Sequence, residues 1–160
     1  MNAIDMLEAQ HREVEDLFKM VESSKDAAKR EQAFIKLADA LAIHASIEEH
    51  HFYPAVKERR SEDLDEALHD HMAIKRALNE LLDTDVEDEA FELKLDALKD
   101  EVEHHVEEEE SELFPRVMRA FDEGELEDIG DAMTAEQADL EERGNARETV
   151  PEELEKTAPV

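Results

Sequence analysis

The stretch His105-Val-Glu-Glu-Glu109-Glu-Ser-Glu-Leu-Phe-Pro115 repeats an earlier one, His44-Ala-Ser-Ile-Glu48-Glu-His-His-Phe-Tyr-Pro54. The two copies stand 61 residues apart, and in each a His precedes a Glu by four positions and an aromatic residue precedes the Pro. Positions i and i+4 share one face of a helix. Each copy therefore directs an imidazole and a carboxylate toward one point, and such a pair is suited to binding a metal ion.

A second pair of segments repeats at an offset of 60 residues, with His11 corresponding to His71. Four apolar stripes at helical spacing result: Ile4, Leu7, His11, Val14, Phe18, Val21; Phe34, Leu37, Leu41, His44, Glu48, His51; Leu64, Ala67, Leu68, His71, Ile74, Leu78, Leu81; and Phe91, Leu95, Leu98, Val102, His105, Glu109. One hairpin alone cannot bury such a stripe. The sequence therefore predicts an all-α fold, an up-down-up-down four-helix bundle made of two related hairpins.

Capping and helix-breaking residues indicate where these helices begin and end. The second helix is expected to begin near Asp26, and Ser61 is a plausible N-cap for the third. Pro54 and Pro115 are expected to kink the second and fourth helices or to mark their last turns, because proline lacks a backbone donor.

The chain after the fourth helix is expected to form a short helical extension. Gly124 is predicted to stop the fourth helix, so that the bundle occupies residues 1–122. A short amphipathic helix over 123–143 is expected to break or end near Gly130. Residues 144–160 are polar and contain two prolines, and we expect a flexible tail.

Composition excludes several classes of function. The 160 residues include no cysteine, which excludes disulfides, thiolate zinc sites and thiol nucleophiles. The net charge of −29 should repel nucleic acid and anionic membranes, and no apolar run approaches the length of a membrane span. We therefore expect a soluble, cytoplasmic protein without nucleic-acid or membrane partners. The acidity itself is typical of a solvated surface and would also suit a high-salt cytoplasm; the oligomeric state stays open.

The four stripes place four His and two Glu among Leu, Ile, Val and Phe. A buried, unpaired carboxylate costs several kcal/mol, and the core stripes contain no Lys or Arg near Glu48 or Glu109. Multivalent cations would supply the missing charge. Imidazole with carboxylate suits iron, manganese or zinc, and two ions bridged by the two Glu, each taking two His, would keep open positions for a small oxidant.

These motifs resemble the hemerythrin-like (HHE cation-binding) family, whose pattern is His, His-x3-Glu, His, His-x3-Glu on a four-helix bundle. The similarity covers roughly residues 3 to 120. It implies two iron ions, oxo- or hydroxo-bridged, ahead of manganese or zinc. By the same resemblance the metal ligands are His11, His44, Glu48, His71, His105 and Glu109.

The sequence departs from the oxygen-carrying members of that family. They have a further His four positions after the third-helix His, where this chain has Lys75. Their last carboxylate is an Asp five positions after its His, whereas here Glu109 stands at four and Glu110 at five. One His fewer opens another position on one ion, which favours peroxide or other redox chemistry over reversible oxygen carriage.

Other constellations compete with this site. Three Glu-x2-His triplets, at 48–51, 66–69 and 101–104, are found in ferritin-like sites, but they break the repeat, and 47 acidic residues produce such matches by chance. His50, His69 and His104 are interpreted as surface residues. His51 and Tyr53 are interpreted mainly as packing, with contact to the metals as the alternative. Glu49 and Glu110 remain alternative bridging carboxylates.

The leading hypothesis for the function is a di-iron protein that binds or reacts with dioxygen, hydrogen peroxide or nitric oxide. Whether it turns over as an enzyme is open; peroxide disproportionation at the metals would be the reaction. The alternatives are a non-catalytic protein for iron storage, scavenging or redox sensing, and a structural bundle held by buried His–Glu hydrogen bonds.

Overall fold

The computed structural model describes residues 1–60 and 64–157, and every regular element within them is helical. The α-helices are α1 Ala3–Ser23, α2 Ala27–Ile47, α3 Tyr53–Arg60, α4 Asp65–Leu82, α5 Ala90–Glu108, α6 Phe114–Ala120, α7 Glu123–Arg143 and α8 Thr149–Thr157. The π-helical turn Glu48–Phe52 joins α2 to α3, the π-helical turn Glu109–Leu113 joins α5 to α6, and the 3-10 turn Ala146–Glu148 precedes α8. The predicted helical bundle is confirmed. None of these helices is long and apolar enough to cross a membrane.

Among the described residues, side-chain caps account for the starts of α1, α2 and α7. The Asp26 side chain accepts a hydrogen bond from the backbone N–H of Ala28, so the predicted start of α2 is correct. The cap predicted at Ser61 lies outside the described residues. The predicted stop at Gly124 is wrong, because the chain leaves the helix at Phe121 and a capping box between Asp122 and Glu125 starts α7.

Pro54 and Pro115, which correspond in the internal repeat, each stand two residues after a π-helical turn that begins at a glutamate. The backbone N–H of Tyr53 bonds to the carbonyl of Glu48, and that of Phe114 bonds to the carbonyl of Glu109, so each turn is one residue wider than an α-turn. Proline has no N–H to donate to the preceding turn, and the wider turn accommodates this. The expected disturbance near Pro54 is therefore a widened turn in a helix that continues to Arg60.

Two apolar clusters enclose the layer that contains the His and Glu residues. One includes Phe18, Leu37 and Leu98, and the other includes Phe52 and Phe114. Most residues of the predicted stripes are buried. The prediction is wrong for Leu68, which is 41% exposed. The polar layer is thus sealed on both sides by packed hydrocarbon.

Helix α7 is continuous through Gly130, contrary to the expected break. It packs on α1 and on the first π turn, and Gly130 lies against the first residues of the chain. A Cβ atom at Gly130 would lie 2.3 Å from the carbonyl oxygen of Met1. Close approach of two backbones therefore explains this glycine.

The described residues after 144, where the sequence predicted a flexible tail, form the 3-10 turn and α8 and lie against the bundle. Positive φ values at Gly144 and Asn145 turn the chain back toward the bundle. Ala146 and Val150 are buried in the apolar cluster that contains Phe18, and Arg147 pairs with Asp39 of α2 at 3.1 Å. The apolar residues at this spacing share a helix face, and their burial against α2 and α4 orders the segment.

We expect Gly130→Ala to destabilise the protein by about 1–3 kcal/mol, because the new methyl group meets backbone that must shift. Gly124→Ala is the matched control: it also lies in α7, and its Cβ would be 3.4 Å from Asp122 Oδ1, an ordinary contact. Thermal unfolding of both variants tests this. A Gly130→Ala protein as stable as the control would contradict the close packing of α7 on the N-terminus.

Candidate metal centre

The structure brings together all six residues singled out as ligands, and each is buried. One comes from α1, one from α2, one from α4 and one from α5, while Glu48 and Glu109 open the two π turns. The buried six are His11, His44, Glu48, His71, His105 and Glu109. The corresponding side chains of the two repeats therefore face each other at one point of the bundle.

The ligand atoms form two groups. His11, His44 and Glu109 make one group, and Glu48, His71 and His105 make the other; within each group the donor atoms all lie within 4.8 Å of one another. We call them the first and the second position. Each position offers two imidazoles and one carboxylate, a donor set that suits iron, manganese or zinc.

The two carboxylates face both positions. Glu48 Oε1 lies 3.0 Å from His44 Nε2 and 3.1 Å from His71 Nε2. Glu109 Oε1 lies 3.4 Å from Nε2 of both His11 and His105. Each Glu thus stands between an imidazole of one position and an imidazole of the other, as bridging ligands do.

The donor atoms fit a metal because several of them have no hydrogen-bond partner. Nε2 of His11, Nε2 of His44, Oε2 of Glu48 and Oε1 of Glu109 are buried, and although they lie close to one another, none has a partner with the geometry of a hydrogen bond. A buried polar atom without a partner costs about 1–3 kcal/mol. Cations held between these atoms would satisfy all four at once.

The outward nitrogens of two imidazoles have partners that fix the ring orientation at the first position. His11 Nδ1 lies 2.7 Å from Glu110 Oε2, and His44 Nδ1 lies 2.7 Å from Gln10 Oε1. Both rings therefore present Nε2 to the centre. Such outer hydrogen bonds orient metal-binding histidines and increase their basicity when the partner is a carboxylate.

The second position has the same organisation with different partners. His71 Nδ1 lies 2.9 Å from Glu49 Oε2, and His105 Nδ1 lies 3.4 Å from Asp70 Oδ2. Glu49 and Glu110, considered above as alternative bridges, instead lie on the outer side of the imidazoles. Asp70 and Gln10 were missed from the sequence, because nothing in their spacing separates them from the other polar residues of their helices.

Lys75, which stands where the oxygen carriers have a further His, is buried and holds Glu49. Its Nζ lies 2.8 Å from Glu49 Oε2 and 2.7 Å from Glu153 Oε2 of α8. Arg12 holds Glu110 in the same way, at 2.7 Å. Lys75 is thus linked to the centre through Glu49 and His71.

Tyr53 is buried in the apolar cluster that contains Phe52 and Phe114, as its interpretation as packing predicted, and its hydroxyl also reaches the centre, which was the alternative. Its hydroxyl donates to Glu109 Oε2 at 2.8 Å and lies 3.1 Å from His71 Nε2. In a regular α-helix, a residue five positions after Glu48 would point elsewhere, but the π turn aligns the two side chains. The proline after each aromatic residue was the sequence signal for that turn.

Burial and mutual charge shift the pKa values at the centre in opposite directions. Burial, together with the charge of Glu48, raises the pKa of Glu109 to about 7. Burial also opposes ionisation of Glu48, but the neighbouring imidazoles outweigh it and hold its pKa well below the usual value. Burial opposes the charge on His71 as well, yet its contacts with Glu48 and Glu49 raise its pKa to about 10. In the metal-free state, protons thus provide part of the positive charge that cations would provide.

The other histidines lie away from the centre. His50 Nδ1 pairs with Glu136 of α7 at 2.8 Å and His51 Nε2 lies 3.4 Å from the same residue. His69 and His104 are exposed, as expected. The ferritin-like triplets do not converge, because Glu66 and Glu101 are exposed too.

Three openings surround the centre. A cavity of about 30 Å³ is lined by all four metal-facing histidines and by apolar side chains such as Val14 and Ile74. A groove of about 580 Å³ between α1 and α5 reaches His11. A smaller cleft of about 70 Å³, between α4 and the second π turn, reaches His105 and Glu109. The cavity has the size of one small molecule.

Comparison with known proteins gives three similarities. The hemerythrin HHE cation-binding domain matches residues 2–117. The crystal structure of a hemerythrin HHE cation-binding domain-containing protein from Mycobacterium kansasii is similar over 99% of this chain and 95% of that one, with a TM-score of 0.77 and 25% identity. A DNA nickase from a Nostoc species is 27% identical over 144 residues, which are 89% of this chain; the chain spans only 41% of that relative's length.

Proposed function

Because this chain belongs to the hemerythrin HHE cation-binding domain family, we propose that it holds two iron ions and binds or reacts with a small oxidant: dioxygen, hydrogen peroxide or nitric oxide. The observation that supports this most directly is the pair of buried His-His-Glu groups, with unsatisfied donor atoms aimed between them. Manganese or zinc would suit the same donors and rank behind iron.

Bound iron would supply electron transfer and open coordination positions for the oxidant. The chain's own residues prepare that place. Val14, Leu41 and Ile74 line the cavity beside the four imidazoles, which excludes bulk water and admits a small uncharged molecule. Tyr53 holds a proton at its hydroxyl, within hydrogen-bonding distance of Glu109, and can position or deliver it there.

Turnover of peroxide is favoured in this proposal over reversible oxygen carriage. Lys75 occupies the place of the carriers' additional His, and its ammonium group contacts Glu49 and Glu153. The second position therefore has two imidazoles and keeps more sites open to reactants than a five-histidine centre has. Adding hydrogen peroxide to the iron-loaded protein and following oxygen evolution tests this: repeated turnover supports an enzyme.

The alternative is iron storage, scavenging or sensing without turnover. The acidic lining of the cleft near His105, which includes Glu66, Glu108 and Glu112, favours metal uptake and would serve this role equally. A single stoichiometric bleach with peroxide would favour this alternative. Metal content and an absorption spectrum of protein purified in air test both versions, and fewer than two irons per chain after reconstitution would contradict the di-iron proposal.

We expect Tyr53→Phe to keep two metal ions but to lower peroxide turnover by roughly tenfold or more, because the variant lacks the proton at Glu109. The stability cost should be about 1 kcal/mol, the value of one hydrogen bond. Metal analysis and thermal melting run beside the activity assay separate the two effects. Unchanged turnover in a fully loaded variant would show that the hydroxyl has no role in the reaction.

A further inference from the structure

The two metal positions differ in the partners behind their imidazoles. At the second position, both His71 and His105 have carboxylates on their outer nitrogens, from Glu49 and Asp70. At the first position, His11 has a carboxylate, but His44 has the neutral amide of Gln10. A carboxylate partner makes an imidazole a more basic metal ligand than an amide does.

The carboxylate behind His105 is held in the interior of the protein. Asp70 is 9% exposed, so its charge is weakly screened by solvent at the second position. Gln10 instead donates to Gln137 of α7 at 3.1 Å, and adds no charge at the first position. The electrostatic attraction for a cation is therefore stronger at the second position.

Two of the openings that reach the centre, the cleft near His105 and the groove near His11, differ in how far cationic side chains offset the acidic ones. The cleft that reaches His105 is lined by Glu66, Glu108 and Glu112 together with Arg116. The groove that reaches His11 has four glutamates in its lining, but three cationic side chains, those of Arg12, Lys19 and Lys99, offset most of their charge. A cleft with an excess of negative charge concentrates cations and accelerates their binding.

A third group of ligand-type atoms lies beside the acidic cleft. Asp70, His104 and Glu108 each offer an atom within 4.8 Å of the others, and His104 is exposed. Asp70 also contacts His105 of the second position. A cation approaching from solvent would thus meet suitable donors directly outside the second position.

We propose that the second position, made of Glu48, His71 and His105, is filled first and holds its metal ion more tightly, and that the cleft between α4 and the second π turn is the route by which this ion arrives. The inference rests on the proposed metal binding, but on neither the identity of the metal nor the oxidant. It gives the two ions distinct roles in assembly: one is taken up from the cleft, and the other completes the pair.

Calorimetric and spectroscopic titration of the chelated, full-length protein with Co²⁺ tests the order of binding. We expect two steps, with the first at least about tenfold tighter than the second. Asp70→Asn should weaken the first step by about 10–100-fold and leave the second nearly unchanged. Gln10→Glu should strengthen the second step and narrow the gap. Two indistinguishable steps, or a first step unaffected by Asp70→Asn, would overturn the inference.

Ligand variants assign each step to a position. His11→Ala should retain the tight step and lose the weak one, whereas His71→Ala should lose the tight step. The reverse result would overturn the proposed order. Thermal melts of the metal-free variants establish that both are folded, and Asp70→Asn provides the same assignment if either is not.

The proposed route of the first ion through the cleft is tested by measuring association rates. Glu108→Gln combined with Glu112→Gln should slow Co²⁺ association at the first step by roughly tenfold at low salt, while Glu103→Gln combined with Glu107→Gln, in the groove near His11, should leave that rate unchanged. Equal rates in both double variants would overturn the route. If the wild-type protein binds no Co²⁺, Zn²⁺ or Fe²⁺ at all, the proposed function fails with the inference; if two ions bind in the other order, only the inference fails.

Discussion

Removing the metal ions is expected to lower the melting temperature by roughly 15–30 °C. A ligand present at about a thousandfold over its Kd stabilises the native state by about 4 kcal/mol, so two ions contribute about 8 kcal/mol. In a chain of this size, 1 kcal/mol corresponds to about 2–4 °C. The physical reason is that the metal-free centre leaves polar atoms unsatisfied in a layer enclosed by two apolar clusters.

Differential scanning calorimetry of loaded, chelated and reloaded protein measures this effect. Reloading the chelated protein with Mg²⁺ is the control, because magnesium binds diffusely to acidic surfaces but prefers oxygen ligands to imidazole. Restoration by Fe²⁺ or Co²⁺ and not by Mg²⁺ would place the stabilisation at the buried histidines. An unchanged melting temperature after chelation would instead support a structural bundle held by His–Glu hydrogen bonds alone.

Glu109→Gln is expected to abolish paired metal binding while changing the stability of the metal-free protein by only about 1 kcal/mol at acidic pH, where Glu109 is protonated in the fold. The amide retains the shape of the side chain and still accepts a hydrogen bond from Tyr53. It removes the negative charge that both metal positions share. Metal analysis after reconstitution and chemical denaturation of the metal-free variant measure the two effects separately.

Replacing Glu109 should also change how the stability of the metal-free protein depends on pH. The pKa of Glu109 is raised to about 7 in the fold, so the folded metal-free chain binds a proton that the unfolded chain has already lost. The proton bound to Glu109 contributes to the stability of the folded protein at low pH, and this contribution is lost as the pH rises toward 7. Glu109→Gln has no ionisable group at this position and so lacks this pH dependence. The free energies of unfolding of the metal-free variant and the metal-free wild type should therefore differ most above pH 7.

The adjacent carboxylate provides a matched comparison. Glu110 lies outside the metal positions and holds the outer nitrogen of His11. Glu110→Gln should therefore weaken metal affinity by about 10–100-fold without abolishing binding. Equal losses in the Glu109 and Glu110 variants would contradict the assignment of Glu109 as a shared ligand.

Much of this architecture follows from periodicity in the sequence. Stripes with a period near 3.6 residues predicted the bundle, and the His-x3-Glu repeat together with the correspondence of His11 to His71 predicted which six side chains would meet. The prediction succeeded for these residues because burying polar groups on an apolar stripe requires a partner, and symmetry between the repeats places that partner opposite.

The remaining features depend on geometry that helical periodicity does not describe. Contact of Tyr53 with the centre was predicted only as an alternative to packing, because a π turn, which helical periodicity does not reveal, brings this residue onto the face of Glu48. Asp70 and Gln10 resemble surface residues until the neighbouring helix brings an imidazole against them. The segment after residue 144 is polar overall, and the few apolar side chains at Ala146 and Val150 were outweighed by composition although they share one helix face.

The widened turns make the centre sensitive to chain length as well as to residue identity. Each π turn contains one residue more than an α-turn, and that extra residue sets the angle between the part of the helix before the glutamate and the part after it. If the turn Glu48–Phe52 became regular α-helix with all its residues retained, the phenol of Tyr53 would swing by about 100° away from the carboxylates, whereas deleting one amino acid from the turn would leave the tyrosine four positions after Glu48, on the same face. The additional residue and the widened turn therefore compensate for each other, and changing one without the other would remove the phenol from the centre while His11 and His44, which precede the turn, kept their places.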